Sequence, residues 1–217
     1  HSIFESIESY IGLLSINIST SNNSIDRVIK KKLERGLNDL GNLLWTECSR
    51  EVQLFEDFFP IFDQVDDCWA TSLTFLLIDE GLCFQRELEK SDELVQFTYD
   101  LVGGYQIAKS VFFSENDPAV ITKKLQSQEA REKLLNLDSS KRHPLHEDIL
   151  KSISYLLPQK IDKQIYEVYD DRSILLESLD NFELLAFNKA EKEKLIAFIS
   201  NKALDSEIIS NLLHRLY

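Results

Sequence analysis

Six glycines in 217 residues leave little room for phosphate-cradling loops or for the tight elbow that presents a catalytic serine. Neither motif occurs. Methionine is absent altogether, even at position 1, and His1-Ser2 has the character of an expression-vector junction, so the chain is expected to be a fragment of a larger protein. Three cysteines, Cys48, Cys68 and Cys83, make an odd number without a Cys-x-x-Cys pair. Reduced, buried thiols are therefore expected, in an intracellular protein of the cytoplasm or nucleus. The longest apolar runs, such as Phe75-Leu76-Leu77-Ile78, fall far short of the ~20 residues of a membrane span. No charged-then-apolar leader marks the chain for secretion. Positive charge is scarce as well: 24 Lys and Arg against 37 Asp and Glu give a net charge of -13. A surface of that sign repels phosphates, so neither a nucleic-acid backbone nor an anionic membrane is an expected partner.

What the chain does have is helical period. Hydrophobic residues make up 43% and aromatic residues 10%, enough for a packed core. Apolar residues recur at three- and four-residue spacing from end to end, and no strand pattern stands out. Ile3, Ile7, Ile11 and Leu14 line a first helix, followed by a polar loop from Asn17 to Ser24. Ser24 is placed to cap a second helix through about Leu44, with Ile29, Leu33, Leu37, Leu40 and Leu44 on its inner stripe. Trp45, Val52, Phe55 and Phe59 continue the pattern to Pro60, which is expected to stop it. Asp66 or Asp67 is expected to cap a helix carrying Trp69, Leu73, Leu76 and Leu77, with Gly81 at its left-handed end. A helix from Ser91 to Val102 is expected to end at Gly103-Gly104.

Further along, Asp117-Pro118 is a strong start signal, with aspartate at the cap and proline at the first helical position. His143-Pro144 opens a helix holding Leu145, Ile149, Ile153 and Leu156, which Pro158 is expected to close. A short helix follows near Asp162 to Tyr169. Stripes from Ile174 to Leu185, from Leu195 to Ile199 behind an Asn188/Glu191 capping box, and from Ile208 to Leu216 behind Asp205 complete the pattern. The expected fold class is all-α, with about ten to twelve amphipathic helices joined by short links. Two arrangements fit: an irregular helical bundle, or antiparallel helix pairs stacked as a HEAT- or armadillo-like α-solenoid. A single domain over 1–217 is expected, with the alternative of a subdivision near 103–117.

Chemistry is thin along this framework. The densest group of ligand-type side chains is His143-Pro144-Leu145-His146-Glu147-Asp148. Zinc needs three or four converging ligands, and no cysteine or third histidine lies nearby. Pro144 also pulls His143 out of helical geometry, so the two imidazoles need not share a face. His143 and His146 are thus metal candidates that lack companions. The alternative is a plain helix start, where Glu147 and Asp148 favour the positive end of the dipole. Arg142 and His146 approach the arginine-then-histidine pattern of helical nucleases, with one residue too few between them. Asp66-Asp67 and Asp170-Asp171 lack the third carboxylate of a terpenoid-synthase magnesium motif, and no Glu-x-x-His pair is present for a di-iron bundle. No catalytic residue is assigned, and no cofactor is expected.

Two surface features remain. Arg27, Lys30, Lys31, Lys32 and Arg35 form a basic stripe in an acidic chain, with Arg27, Lys31 and Arg35 four apart on one face. They occupy the first half of their helix, where positive charge opposes the macrodipole, so intrinsic helix stability does not explain them. The stripe is either a solvated face paired with Glu47, Glu51 or Glu56, or a docking face for an acidic partner protein. The aromatic run Phe55, Phe58, Phe59, Phe62 and Trp69 is expected to nucleate the core. Around Pro60, however, not every ring of Phe58, Phe59 and Phe62 can point inward, so one or two are expected as interface anchors. The function expected is a non-catalytic helical scaffold or adaptor that works through protein–protein contacts in a larger assembly. An all-helical hydrolase centred on Arg142–Asp148 is the alternative.

Overall fold

The computed structural model describes residues 3–21, 26–64, 66–87 and 93–169, together with 189, 190, 193, 196 and 197. The expected stripes after Ile174 and Asp205, and the Asn188/Glu191 capping box, lie outside the described residues. Leu33, Leu37, Leu40 and Leu44 share one stripe of α2 (Asp26–Glu47), and all four are buried. α2 packs on α1 (Ile3–Ser21), which runs on through the loop expected at Asn17. It also packs on α5 (Asp100–Ile107) and on the π-helical turn Ala108–Phe112 that extends α5. α5 packs in turn on α8 (His146–Ile161), whose Ile149, Ile153, Leu156 and Leu157 are buried. One cluster of buried side chains extends from Phe4 in α1 to Tyr169.

Glycine lets these helices approach closely. A Cβ on Gly104 of α5 would lie 2.6 Å from the carbonyl carbon of Asp148 and 2.8 Å from the nitrogen of Ile149, both backbone atoms of α8. On the other side, a Cβ on Gly41 of α2 would lie 2.4 Å from Ser110 Oγ and 2.8 Å from the Gln106 carbonyl oxygen. Gly103-Gly104, expected to end a helix, instead sits inside one, where the absence of a side chain serves contact rather than chain reversal.

The fold is mostly helical, but it also contains a small antiparallel sheet that the sequence pattern did not lead us to expect. β1 (Glu51–Gln53), β2 (Cys83–Glu87) and β3 (Glu93–Phe97) lie in the order β1-β3-β2. Val52 pairs with Val95, and Cys83 with Phe97. These four side chains are buried, as period-two alternation requires of a sheet with one covered face. Over the described residues 93–102, the helix expected from Ser91 to Val102 is replaced by β3 and the start of α5. Between β1 and β2, a π-helical turn (Leu54–Phe58) runs into α3 (Phe59–Phe62), and a 3-10 turn (Trp69–Thr71) precedes α4 (Leu73–Asp79).

Helix ends follow local chemistry. Pro60 does not stop the chain's helical path; it sits in the first turn of α3, where its missing N–H costs nothing. α4 is capped by Ser72, whose hydroxyl accepts from Phe75 N at 3.0 Å, and not by Asp66 or Asp67. The carboxylate of Asp63 accepts from Leu73 N at 2.9 Å and Thr74 N at 2.8 Å, with Lys32 Nζ at 3.4 Å. The first three amides of α4 are thereby satisfied by side chains. Gly81 follows α4 with φ +76°, as its left-handed role requires. α6 (Pro118–Leu125) starts at Asp117, which accepts from Ala119 N at 2.8 Å. α7 (Gln128–Leu135) and a 3-10 turn (Ser139–Lys141) lead to α8. α8 passes through Pro158 and closes at Asp162, which takes a left-handed φ of 52°. After α9 (Ile165–Val168), the hydroxyl of Tyr169 donates to the Leu125 carbonyl at 2.7 Å, closing the end of α6.

Gly104→Ala is expected to destabilise the protein by about 1–3 kcal/mol, because the obstructing atoms are backbone and cannot rotate away. Gly12→Ala in α1 meets nothing within 4 Å, and is expected to stabilise by up to about 1 kcal/mol through helix propensity. Urea denaturation of the two variants beside the parent checks both signs.

Candidate functional site

The last turn of any helix carries carbonyls with no intrahelical donor. At the end of α2, Cys48 takes a left-handed φ of 50°. Ser49 N then donates to Leu44 O at 3.1 Å and Cys48 N to Trp45 O at 3.3 Å, the closing pattern that glycine usually supplies. The same carbonyls also receive side chains from far along the chain. His143 Nε2 donates to Leu44 O at 3.0 Å, and Lys133 Nζ donates to Trp45 O at 2.5 Å. The Trp45 ring stacks on the His143 imidazole with centroids 5.9 Å apart and meets the Lys133 ammonium at 4.8 Å. Phe112 lies edge-on to it at 5.2 Å.

This arrangement decides what the Arg142–Asp148 segment can do. Leu145 N donates to His143 Nδ1 at 3.0 Å, so the ring proton belongs on Nε2, and both nitrogens are used. The imidazole is fully buried and has no lone pair left for a metal. His146 Nδ1 is 3.0 Å from the His143 carbonyl, Arg142 Nε donates to the Asn136 carbonyl, and Asp148 pairs with Lys151 at 3.3 Å. Glu147 is exposed. His143, His146, Arg142 and Asp148 are thus spent on separate local bonds. Among the described residues, no group of three or more His, Cys, Asp or Glu side chains is placed to hold a metal ion. An open depression lined by Thr122, Lys123, Gln126 and Lys163 between α6 and the α8–α9 link offers no carboxylate, thiol or imidazole.

The aromatic run is divided differently from the sequence expectation. Phe58 and Phe62 are fully buried and Phe59 is nearly so, so none of the three is available as an exposed anchor. The exposed member is Phe55, at 60%. Within the π-helical turn, Leu54 and Phe58 lie four apart on the buried side, while Phe55 lies on the exposed side. Trp69 is half-buried beside it, with ring centroids 5.8 Å apart. Trp69 also stacks on Phe59 at 6.2 Å and meets Phe75 edge-on at 6.1 Å. Four rings therefore support one surface aromatic patch. Phe84 on β2 and Tyr99 are exposed as well, at 48% and 67%. Phe84 follows from strand alternation with its buried neighbour Cys83, a signal hidden while that segment is not read as a strand.

On the basic stripe, Lys30, Lys31 and Arg35 of α2 are exposed, while the side chain of Arg27 lies outside the described residues. Among the described residues, Lys30, Lys31, Lys32 and Arg35 do not pair with Glu47, Glu51 or Glu56. Arg35 reaches Asp39 on its own helix at 3.7 Å, Lys32 reaches Asp63, and Glu51 is held instead by Arg86 at 2.7 Å. Lys30 and Lys31 have no ion-pair partner among the described residues. The three cysteines are free, yet only Cys83 is buried: its thiol pKa is pushed up by burial, while Cys68 is exposed.

Burial holds the His143 imidazole below its ordinary pKa of 6.5, with Lys133 and His146 adding to the depression against the opposing Leu44 bond. A folded-state value below the unfolded one means the unfolded chain takes up the proton first. The contribution to stability is therefore complete above 6.5 and is lost as pH falls below it. The urea-unfolding free energy is expected to drop between about pH 7.5 and about pH 5.5, with His143 contributing at most about 1.4 kcal/mol per pH unit. His143→Gln should flatten that part of the profile.

None of the protein-family models, curated proteins or solved structures compared with the chain matches it.

Proposed function

We propose that the chain is a non-catalytic helical scaffold or adaptor domain that works through protein–protein contacts within an intracellular assembly. The observation that carries this reading is Phe55, a large aromatic side chain that is 60% exposed and braced by Trp69 and Phe59. Rigid aromatic side chains on a fixed surface are the commonest anchors of protein interfaces, because they bury much area for little lost side-chain entropy. The two histidines and Asp148 of the Arg142–Asp148 segment, by contrast, are committed to local bonds, and Glu147 is exposed apart from them. Between the two arrangements expected for the helices, the irregular bundle is favoured over stacked pairs. In a solenoid each unit touches its sequence neighbours, whereas α2 packs on α5, beyond the whole β1–β3 segment. Lys30, Lys31 and Arg35 offer a second face, suited to an acidic partner.

Affinity purification of the tagged chain from its source cells tests the reading. A partner protein is expected to co-purify with the parent and with Phe55→Tyr, and to be lost with Phe55→Glu. All three chains should melt within about 2 °C of one another, since an exposed substitution costs little. A Lys31→Glu, Arg35→Glu chain should weaken capture at the second face without lowering the melting temperature. Identical sets of proteins captured by the parent and by Phe55→Glu would overturn the assignment of the interaction to this surface.

A further inference from the structure

Between Arg50 and Arg86 the sequence contains no lysine, arginine or histidine, and this is the stretch that builds the aromatic patch. Two of its carboxylates are used internally: Glu51 pairs with Arg86, and Asp63 binds the first amides of α4 together with Lys32. Glu56, Asp57, Asp66, Asp67, Asp79 and Glu80 have no ion-pair partner among the described residues. Asp57 and Asp67 each accept one backbone N–H, from Gln53 and Gln64. Glu56 and Asp66 are exposed and make no such bond, and they flank Phe55 and the 3-10 turn that begins at Trp69. The residues that carry the exposed aromatic surface are thus bordered in sequence by exposed carboxylates without an ion-pair partner among the described residues.

We propose that this patch binds an arginine- or lysine-bearing peptide segment of a partner protein, with a cationic head over the Phe55–Trp69 rings. The proposal rests on the reading of the Phe55 surface as an interaction site. Two physical terms select that chemistry together. A guanidinium or ammonium is attracted to the face of an aromatic ring, tryptophan most of all. The flanking carboxylates add Coulomb attraction for the same charge and repel an acidic segment or a phosphate backbone. Apolar side chains between the cations of such a segment would cover the remaining ring surface.

The test uses the whole chain and two fluorescein-labelled peptides, one alternating arginine with leucine, the other with glutamate in place of arginine. Anisotropy titration is expected to show binding of the arginine peptide only, weakened by added salt. Phe55→Ser should weaken it by about tenfold or more, as loss of an interface anchor does. Glu56→Lys with Asp66→Lys should weaken it by a similar factor, whereas Glu47→Lys with Glu132→Lys, elsewhere on the acidic surface, should leave it within about twofold. The emission change of Trp69, which is half-exposed where Trp45 is buried, should accompany binding and vanish in Trp69→Phe. Equal loss from the two charge-reversed pairs would reduce the binding to general attraction and overturn the proposal. So would concentration-dependent self-association abolished by Lys31→Glu, Arg35→Glu, which would put a second copy on the patch. If neither peptide binds while Phe55→Glu still loses its co-purifying partner, the adaptor reading stands and the basic-segment proposal falls.

Discussion

The end of α2 is the point on which the rest of the structure depends. A helix terminus buried without donors for its last carbonyls is costly, since each unmet buried acceptor forfeits on the order of 1–3 kcal/mol. Here the terminus is closed twice. Cys48 in a left-handed conformation closes it locally, and His143 and Lys133 close it from the second half of the chain. The Lys133 ammonium also sits at the negative end of the α2 dipole, where a cation is favoured. Because Trp45 packs on both donors, one residue's backbone and ring join α2 to the α7–α8 region.

That junction fixes the layers around it. With α2 held against the α7–α8 region, α5 lies against both α2 and α8, and Gly41 and Gly104 supply the space. The sheet and the short helices between β1 and β2 form the remaining wall, and their inward residues (Val52, Leu54, Phe58, Phe62) complete the core. Phe55 is exposed as a consequence of this packing. In the turn Leu54–Phe58, the inward places are taken by Leu54 and Phe58, and Phe55 is left at the surface. A core constraint thereby creates the surface on which the functional reading rests.

Much of the helical framework was legible because it is written in short-range chemistry. Asp117-Pro118 opens α6, Gly81 follows α4 in a left-handed conformation, and the Leu145–Leu156 stripe of α8 is buried. The sheet was not legible, for a physical reason: three- and five-residue strands are shorter than the window over which periodicity accumulates, and valine is the only β-branched residue they hold. Helix ends without their usual residues were also hidden. Cys48 and Asp162 take left-handed conformations usually left to glycine, so neither the break after Glu47, in a pattern that runs on to Pro60, nor the passage of α8 beyond Pro158 is announced by residue type. Gly103-Gly104 misled in the opposite sense, because a glycine selected for close approach looks the same in sequence as one selected for a turn. For the candidate site, the aromatic run was visible but its exposed member was not. Choosing Phe55 over Phe58, Phe59 and Phe62 needs the tertiary packing of this turn, which no residue type announces.

The central claim is that His143 and Lys133 couple the two halves of the chain through the α2 terminus. Native-state amide hydrogen exchange on Lys133→Met tests it most directly, because exchange reports opening segment by segment. The account predicts that protection falls together in the last turns of α2 and in α7 and α8, with the Leu44–Glu47 region most affected. Loss confined to α7, with α2 and α8 as protected as in the parent, would contradict it.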